Sequence, residues 1–435
     1  MDKIYQKQTG VCVMNARNRF PLRGGNWNNG SNAGLGALNL NNHRSNSNSN
    51  IGFRPALENA RSTPLKGGCQ CKIEKDADAS AIAETVPRPV DASAGCTYEK
   101  IYSFENILSA AYHCRKGKTK AQQTLDFFNN LEENVIQIQN ELVWGMYSVS
   151  PYRHFYVFEP KRRLISAPSF KDRVVHRAIY NIIEPMFDVT YIYDSYACRR
   201  DKGTHRGADR AQAFIRKVER QSGKAFALKA DISKYFSSID HFILKRILDR
   251  KLKCQKTKEL LFYIIDSSPS DALGVGIPLG NLTSQLFANI YLNELDRFVK
   301  HTLRAKRYVR YMDDFVIIHG DKRKLHEWRK DIETFLAGSL RLKTNSKTQV
   351  FPVSPAKGRS LDFLGYRIYS THRLLRKGSV KRIKSKLKKF HRQYEAGEIS
   401  LKDINPSIQS WLGHAKHANS DGLKRAIFST PFVRN

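Results

Sequence analysis

With 435 residues, the chain is long enough for two or three domains and a sizeable core. Its hydrophobic fraction of 41% is that of a folded protein, but 74 Lys+Arg against 40 Asp+Glu leave a net charge of +34. That excess points to a polyanionic partner, above all nucleic acid. No apolar run reaches membrane-span length and no signal-peptide pattern is present, so a soluble, cytoplasmic protein with no membrane partner is expected.

The first 95 residues differ from the rest. Ten of the 25 residues from Asn26 to Asn50 are Asn, mixed with Gly and Ser. Such a stretch cannot bury enough apolar area to offset its chain entropy, and a disordered, Asn-rich N-terminal extension is expected. Ser62 to Gly95, with Pro64, Gly67, Gly68, Pro87 and Pro89, reads as a linker. The seven cysteines, Cys12, Cys69, Cys71, Cys96, Cys114, Cys198 and Cys254, are odd in number and read as reduced thiols. Cys69-Gln70-Cys71 lacks a second ligand pair at zinc-site spacing, so no metal is assigned there.

From about Thr97 the composition becomes globular. Ile101, Phe104, Ile107, Leu108 and Ala111 recur at helical spacing. Leu125, Phe128, Leu131, Val135, Ile138 and Leu142 do so again, up to Gly145. Phe155 to Ile165 reads as a hairpin whose turn carries Lys161, Arg162 and Arg163. Three successive cations repel unless phosphate lies between them, although a solvated basic turn fits the same residues. Asp172 to His176 opens a helix with Ile179, Ile182 and Ile183 on one face, where His176 is an ordinary structural residue. Tyr196 to His205, with Arg199 and Arg200, is a cationic loop suited to template phosphates.

Lys224 to Phe236 reads as a strand that ends in Asp231, then a turn and a helix striped by Ile239, Ile243 and Ile247. Gly276-Ile277-Pro278-Leu279-Gly280 is a tight loop, and a long helix begins near Asn281 or Leu282. Free backbone N–H groups at such a start, beside Asn281, Ser284 and Gln285, suit a nucleotide or template strand, or form a plain cap. Tyr308 to Ile318 is a tight hairpin with Asp313 and Asp314 at its tip. Two neighbouring acids in an apolar strand repel and lose hydration, which is costly unless a cation sits there. On this stretch alone a solvated turn is equally open. If the two strands are neighbours, Asp231 joins the pair, and three carboxylates can hold two divalent cations. Hard oxygen donors without His or Cys suit Mg²⁺ or Mn²⁺.

Leu325, Trp328, Ile332 and Phe335 lie on a helix, and Leu340 to Thr348 leads into a strand. Ten of the 20 residues from Arg373 to Arg392 are Lys or Arg, while Val380, Ile383, Leu387 and Phe390 form an apolar stripe. This is a helix with a core face and a basic outer face carrying Lys381, Lys384 and Lys388, fit to track a duplex through its phosphates. Trp411, Leu412, Leu423 and Phe428 close a second helical cluster.

A basic hairpin, a strand ending in Asp, a Gly-Pro loop into a helix, then Tyr311-Met312-Asp313-Asp314: this order resembles a reverse transcriptase from about Thr97 onward. Ser195-Tyr196-Ala197-Cys198-Arg199, Pro278-Leu279-Gly280-Asn281-Leu282-Thr283-Ser284-Gln285 and Trp411-Leu412-Gly413-His414-Ala415 are most similar to the reverse transcriptases of diversity-generating retroelements. The resemblance implies an α+β right-hand polymerase. Residues 1–95 would be the extension and linker, 96–225 the N-terminal helices and fingers, 226–370 the palm with an antiparallel sheet, and 371–435 a basic helical thumb. Asp231, Asp313 and Asp314 would be catalytic and, with Ile232, bind two Mg²⁺ ions, Mn²⁺ being a substitute. Lys161 and Arg163 match residues that hold the incoming dNTP, with Tyr235 and Gly280 also counted in its site. Phe236 matches the gate that excludes a ribose 2′-hydroxyl. Leu279 stands where retroviral-type polymerases have Gln, a departure that would loosen base selection. Lys347 matches a lysine that protonates departing pyrophosphate, or is a surface cation. Phe363, Leu364 and Gly365, leading to Tyr366, resemble the primer grip.

The implied reaction is RNA-templated addition of dNMP to a 3′-hydroxyl, error-prone at template adenines during copying of a template repeat. Implied partners are template RNA, the RNA/cDNA duplex, dNTPs and a small basic oligomeric accessory protein. The segment from Arg23-Gly24-Gly25-Asn26-Trp27-Asn28-Asn29 to Asn50-Ile51-Gly52-Phe53-Arg54 is similar to the lectin-fold ends of proteins varied by such elements. Its Asn residues would then echo the adenine-rich codons of a template repeat. About seventy residues follow Tyr366, too few for an RNase H or His-rich endonuclease domain. A standalone host-defence or group II intron-type reverse transcriptase is the second reading. A non-catalytic RNA-binding protein is the third.

Overall fold

The computed structural model describes residues 96–435 apart from 159–161, 270–271, 357, 430–431 and 433–435, together with two short strands nearer the N-terminus. Those strands, β1 (Leu22–Arg23) and β2 (Leu38–Asn39), pair antiparallel within a separate unit, Met1–Ala83. The rest of the expected extension and linker, and Lys161, lie outside the described residues.

The second unit, Glu84–Asn435, begins with α1 (Thr97–Tyr102) and α2 (Phe104–Arg115). The apolar period runs through both, but Ser103 divides them: its hydroxyl accepts from the Asn106 N–H at 3.3 Å and caps the second. Asn130, whose backbone leaves the helical region without a side-chain cap, separates α3 (Gln122–Asn129) from α4 (Leu131–Val143), and Gly145, at φ 68°, follows the end of α4 as the sequence suggests. Cys96, just before α1, forms a disulfide with Cys254, 158 residues away, so the expectation of reduced thiols fails for this pair. Spacing along the chain holds no trace of a contact made by two helix starts.

Strands β3 (Arg153–Val157) and β4 (Arg163–Ala167) make the expected hairpin, with all five β3 residues exposed. Helices α5 (Phe170–Asp188) and α6 (Thr204–Ser222) lead to the central sheet. Its strands are β5 (Phe226–Asp231), β6 (Tyr308–Tyr311), β7 (Asp314–His319) and β8 (Gln349–Pro352), in the order β6-β7-β5-β8 and antiparallel throughout. Side chains alternate between its faces. Leu228, Ala230, Phe315 and Ile317 enter one core with α9 (Leu282–Arg297) and α10 (Lys322–Leu340). Ala227, Val309, Val316, Ile318 and Phe351 enter the other with α6. Helices α7 (His241–Lys251) and α8 (Gln255–Asp266) extend the first core.

The second core continues into a three-stranded antiparallel sheet, β9 (Leu361–Phe363), β10 (Tyr366–Ile368) and β11 (Arg373–Leu375). Helices α11 (Lys377–Glu395), α12 (Leu401–Ala415) and α13 (Asp421–Ile427) complete the chain. As the stripe predicts, Ile383 and Leu387 are buried while Lys381, Lys384 and Lys388 are exposed. The α+β expectation therefore holds. No described helix is long and apolar enough to cross a membrane.

One buried ion pair fixes the β6–β7 hairpin. Arg310 and Asp296 are both wholly inaccessible. Arg310 donates from Nε and Nη2 to the two Asp296 oxygens at 2.7 and 2.6 Å, and the Tyr308 hydroxyl adds a third bond at 2.8 Å. Its remaining nitrogen, Nη1, donates to Asn289 Oδ1 at 3.3 Å and to the Met312 carbonyl at 3.1 Å. Met312 holds a left-handed φ of 56°, a strained setting for a residue with a side chain. The backbone of Arg310 is tied in turn to Asp194 and Tyr196, which cover the open edge of β6. Asp296→Asn strands a buried guanidinium and should lower unfolding free energy by about 3–5 kcal/mol in urea titrations. A change below about 1 kcal/mol would show that the pair does not brace the hairpin.

Candidate active site

The expected convergence of carboxylates is a matter of strand register. Asp231 is the last residue of β5 and Asp314 the first of β7, and the two are direct partners. Both lie on the face that carries Ala227 and Val316, as period-2 alternation requires. Asp313 sits in the turn beside them. Burial, then the charge of Asp231, raises the Asp313 carboxyl to about 6. Burial raises Asp314 to about 7, Lys229 opposes the rise, and Asp231 and Asp313 add to it. Lys229 Nζ lies 3.8 Å from Asp314 Oδ2, whereas the buried Asp314 Oδ1 has no hydrogen-bond partner.

Among the described residues no group of three or more His, Cys, Asp or Glu side chains is gathered closely enough to hold a metal ion. The donor set fits a hard divalent cation all the same. Its charged oxygen donors are carboxylates, one buried oxygen is unpartnered, and both Asp313 and Asp314 ionise with difficulty unless positive charge is supplied. The Ile232 side chain is buried and the residue bridges to Thr344, so only its backbone could serve as a ligand.

Several further residues hold this face. Asn345 donates its backbone N–H to the Asp231 carbonyl at 2.7 Å and its Nδ2 to Asp231 Oδ2 at 3.4 Å. Its own Oδ1 accepts from the Lys347 N–H at 3.1 Å, which brings the exposed Lys347 to the edge of the site. Lys229 also donates to the Asp362 carbonyl at 2.5 Å, and the Asp362 carboxylate accepts from Arg376 Nε at 2.6 Å. Sequence reading passed over Lys229, Asn345, Asp362 and Arg376. Of these only Lys229 carries a local signal, since it stands two residues before Asp231 and shares its face.

The elements expected to face the nucleotide are linked in a row. The Phe236 carbonyl accepts from Ile277 N–H at 2.9 Å, and the Leu279 carbonyl accepts from Ser166 N–H on β4 at 2.9 Å. Gly280 has φ 128°, and a Cβ there would lie 2.8 Å from the Ser166 carbonyl, so this approach of loop to hairpin requires glycine. Arg163 is exposed and close enough to lower the Asp313 pKa.

Other expected contacts are turned elsewhere. The Tyr235 side chain is buried, its hydroxyl donating to the Ala288 carbonyl at 2.6 Å, because the short 3₁₀ turn Tyr235–Ser238 directs it into the core. Asn281 and Ser284 are 2% exposed, and Asn281 Nδ2 donates to the Tyr152 hydroxyl at 2.9 Å. Asn281 and Ser284 at the start of α9 are thus packed inward and offer no free side chain to a template. Arg199 pairs with Asp188 at 2.5 Å and donates to the Ile192 and Ser195 carbonyls, which makes it a loop clamp. Arg200 and Gln285 instead line an open groove of about 1030 Å³ between α2 and α5. Phe363 is wholly buried. Leu364 and Gly365 form the turn between β9 and β10, and Leu364 lies so close to α6 that a Cβ on Gly207 would meet its Cδ1 at 2.7 Å.

The raised pKa values carry a sign. Both acids bind protons more tightly folded than unfolded, so their contribution to stability is complete below about pH 4 and is lost as pH rises through about 6 to 7. In EDTA at pH 8, Asp314→Asn should therefore be more stable than the wild-type protein by about 1–3 kcal/mol, and Mg²⁺ should stabilise only the wild type. Urea midpoints at pH 5 and pH 8 check this. Equal midpoints for variant and wild type at pH 8 would count against a strained carboxylate cluster.

The family described as reverse transcriptase (RNA-dependent DNA polymerase) matches residues 159–368. Among curated proteins, the chain is 27% identical over 282 residues to protein YkfC of Escherichia coli (strain K12), covering 56% of this chain and 71% of that protein. It is 24% identical over 378 residues to the group II intron-encoded protein LtrA of Lactococcus lactis subsp. cremoris, covering 71% of this chain and 58% of LtrA. Among solved structures, apo telomerase from Candida tropicalis aligns with 61% of this chain and 56% of its own, at a TM-score of 0.40 and 14% identity. The family match contains all three carboxylates, the glycine loop and the buried arginine: residues 159–368 are a reverse transcriptase domain, that of an RNA-directed DNA polymerase, with homologues among group II intron-encoded proteins.

Proposed function

We propose that the chain copies RNA into cDNA by adding dNMP units to a primer 3′-hydroxyl at the face formed by Asp231, Asp313 and Asp314. The observation that carries this reading is the register of β5 against β7, which sets two carboxylates opposite each other with a buried, unpartnered oxygen. Two divalent ions, Mg²⁺ or Mn²⁺, held by the three carboxylates and the Ile232 backbone, would activate the hydroxyl and offset the charge of departing pyrophosphate. Arg163 on the hairpin, together with Lys161, receives the triphosphate, and Phe236, with the Leu279–Gly280 loop behind it, bounds the sugar and base. Lys347, whose backbone is tied to Asp231 through Asn345, would give a proton to the leaving group. The exposed Lys381, Lys384 and Lys388 of α11 follow the duplex backbone, and Arg200 with Gln285 meets the template in the groove beside α5. In this reading 96–225 act as fingers, 226–370 as palm and 371–435 as thumb.

The finer assignment is mutagenic copying of a template repeat in a diversity-generating retroelement, assisted by a small basic oligomeric accessory protein. Three motif stretches and Leu279 at the nucleotide loop support it. The similarity to LtrA favours a second reading, a group II intron-type reverse transcriptase.

Primer extension on a defined RNA template with Mg²⁺ and four dNTPs, followed by sequencing, tests both. The Asp313→Asn, Asp314→Asn double variant should lose product to background, and a variant that still synthesises DNA would remove the carboxylates from catalysis. Errors concentrated opposite template adenines support mutagenic copying, whereas uniform fidelity at all four bases leaves the group II-type reading.

A further inference from the structure

Behind the Leu364–Gly365 turn lies a cluster for which the polymerase chemistry has no use. The Tyr366 hydroxyl meets His205 Nδ1 at 2.8 Å, His414 Nδ1 at 3.1 Å and the His414 carbonyl at 3.0 Å. The His414 ring stacks on Tyr366 at 4.5 Å and 22°, and His205 stacks on His417 at 3.8 Å and 13°. A Cβ on Gly365 would lie 3.1 Å from His414 Cε1 and 3.2 Å from Nε2, so the ring packs directly against the Gly365 backbone. Gly365 itself has φ 88°. Thus His205 from the start of α6 and His414 from the end of α12 close around one hydroxyl next to the turn, with His417 stacked behind His205.

The neighbouring charges are Arg373, 5.3 Å above the Tyr366 ring, and Asp209, its ion-pair partner. Burial holds His414 below the ordinary histidine range, and burial followed by His417 and His414 does the same to His205. The Tyr366 hydroxyl donates its proton to the His414 carbonyl, and the His205 and His414 Nδ1 atoms both face the hydroxyl oxygen.

We propose that His414 is a positioning residue which, with Tyr366 and His205, locks helix α12 to the Leu364–Gly365 turn so that helix and turn move as one body. Its consequence for synthesis rests on the reverse transcriptase reading, in which that turn bears on the primer. The coupling itself does not, because it is a property of the free protein. The glycine belongs to the same device: a side chain at position 365 would push the imidazole off the turn.

Hydrogen exchange of the free protein, read by mass spectrometry, tests the coupling without catalysis. In His414→Ala, amides of both Leu361–Ile368 and Leu401–Ala415 should exchange about tenfold faster, with β5 and β7 unchanged. His414→Gln, which keeps a planar polar side chain long enough to reach the Tyr366 hydroxyl and cover the Gly365 backbone, should stay within about threefold of the wild type. Faster exchange confined to α12, or no rescue by Gln, overturns the proposal. In primer extension, His414→Ala should raise KM for primer–template about tenfold and leave kcat within about twofold. An equal loss in both parameters overturns the positioning role. A wild-type protein that makes no product sinks the reverse transcriptase reading and leaves the exchange result to decide on the lock.

Discussion

The buried pair of Arg310 and Asp296 is the constraint on which the site depends. Two charges leave water completely, which costs several kcal/mol each and is offset only by near-complete hydrogen bonding. Here the bonding includes the one backbone carbonyl that matters, that of Met312 at the hairpin tip. A left-handed residue next to two acids would otherwise be free to relax and take Asp313 with it. The strain at Met312 and the repulsion among the acids are therefore held from the opposite face of the sheet, by a helix that contributes nothing to the chemistry.

The two cores divide the work. One, between the sheet and α9 and α10, holds the brace. The other, between the sheet and α6 and the C-terminal elements, carries the acids and their cationic neighbours. Lys229, Asp362 and Arg376 run from one sheet to the other as a polar chain beside Asp314. The face is thus partly neutralised before any substrate arrives, which limits how far the carboxylate pKa values rise.

What was legible in the sequence was local. Period-2 alternation with an acid at the strand end placed Asp231, and an acid pair between β-rich runs placed the hairpin tip. An apolar stripe among ten basic residues placed α11 with the right face inward. What was not legible depends on partners distant in the chain. Ser103 and Asn130 interrupt helices whose apolar period continues across them, so only the caps reveal the breaks. Tyr235, Asn281, Ser284 and Arg199 look like site residues because they neighbour motif positions. Each is directed inward by a partner 11 to 129 positions away, or, for Ser284, by the packing of its helix turn. Cys254 and Asp296 gave no sign of their partners, since nothing in their surroundings distinguishes a paired residue from a solvated one.

The direct pairing of Asp231 with Asp314 has a consequence for how this chain can change length. Strand β5 is zipped on both sides, to β7 and to β8, so its phase is set twice. Inserting or deleting a single residue between Phe226 and Asp231 would exchange the two faces, sending Lys229 and the terminal acid into the apolar core. A two-residue change would keep the faces but shift the acid by about 7 Å along the strand, out of reach of its partner. Six consecutive positions are in this sense a fixed-length ruler. Variation in chain length is not admissible along the ruler itself, nor along the stretches of β7 and β8 that set its phase.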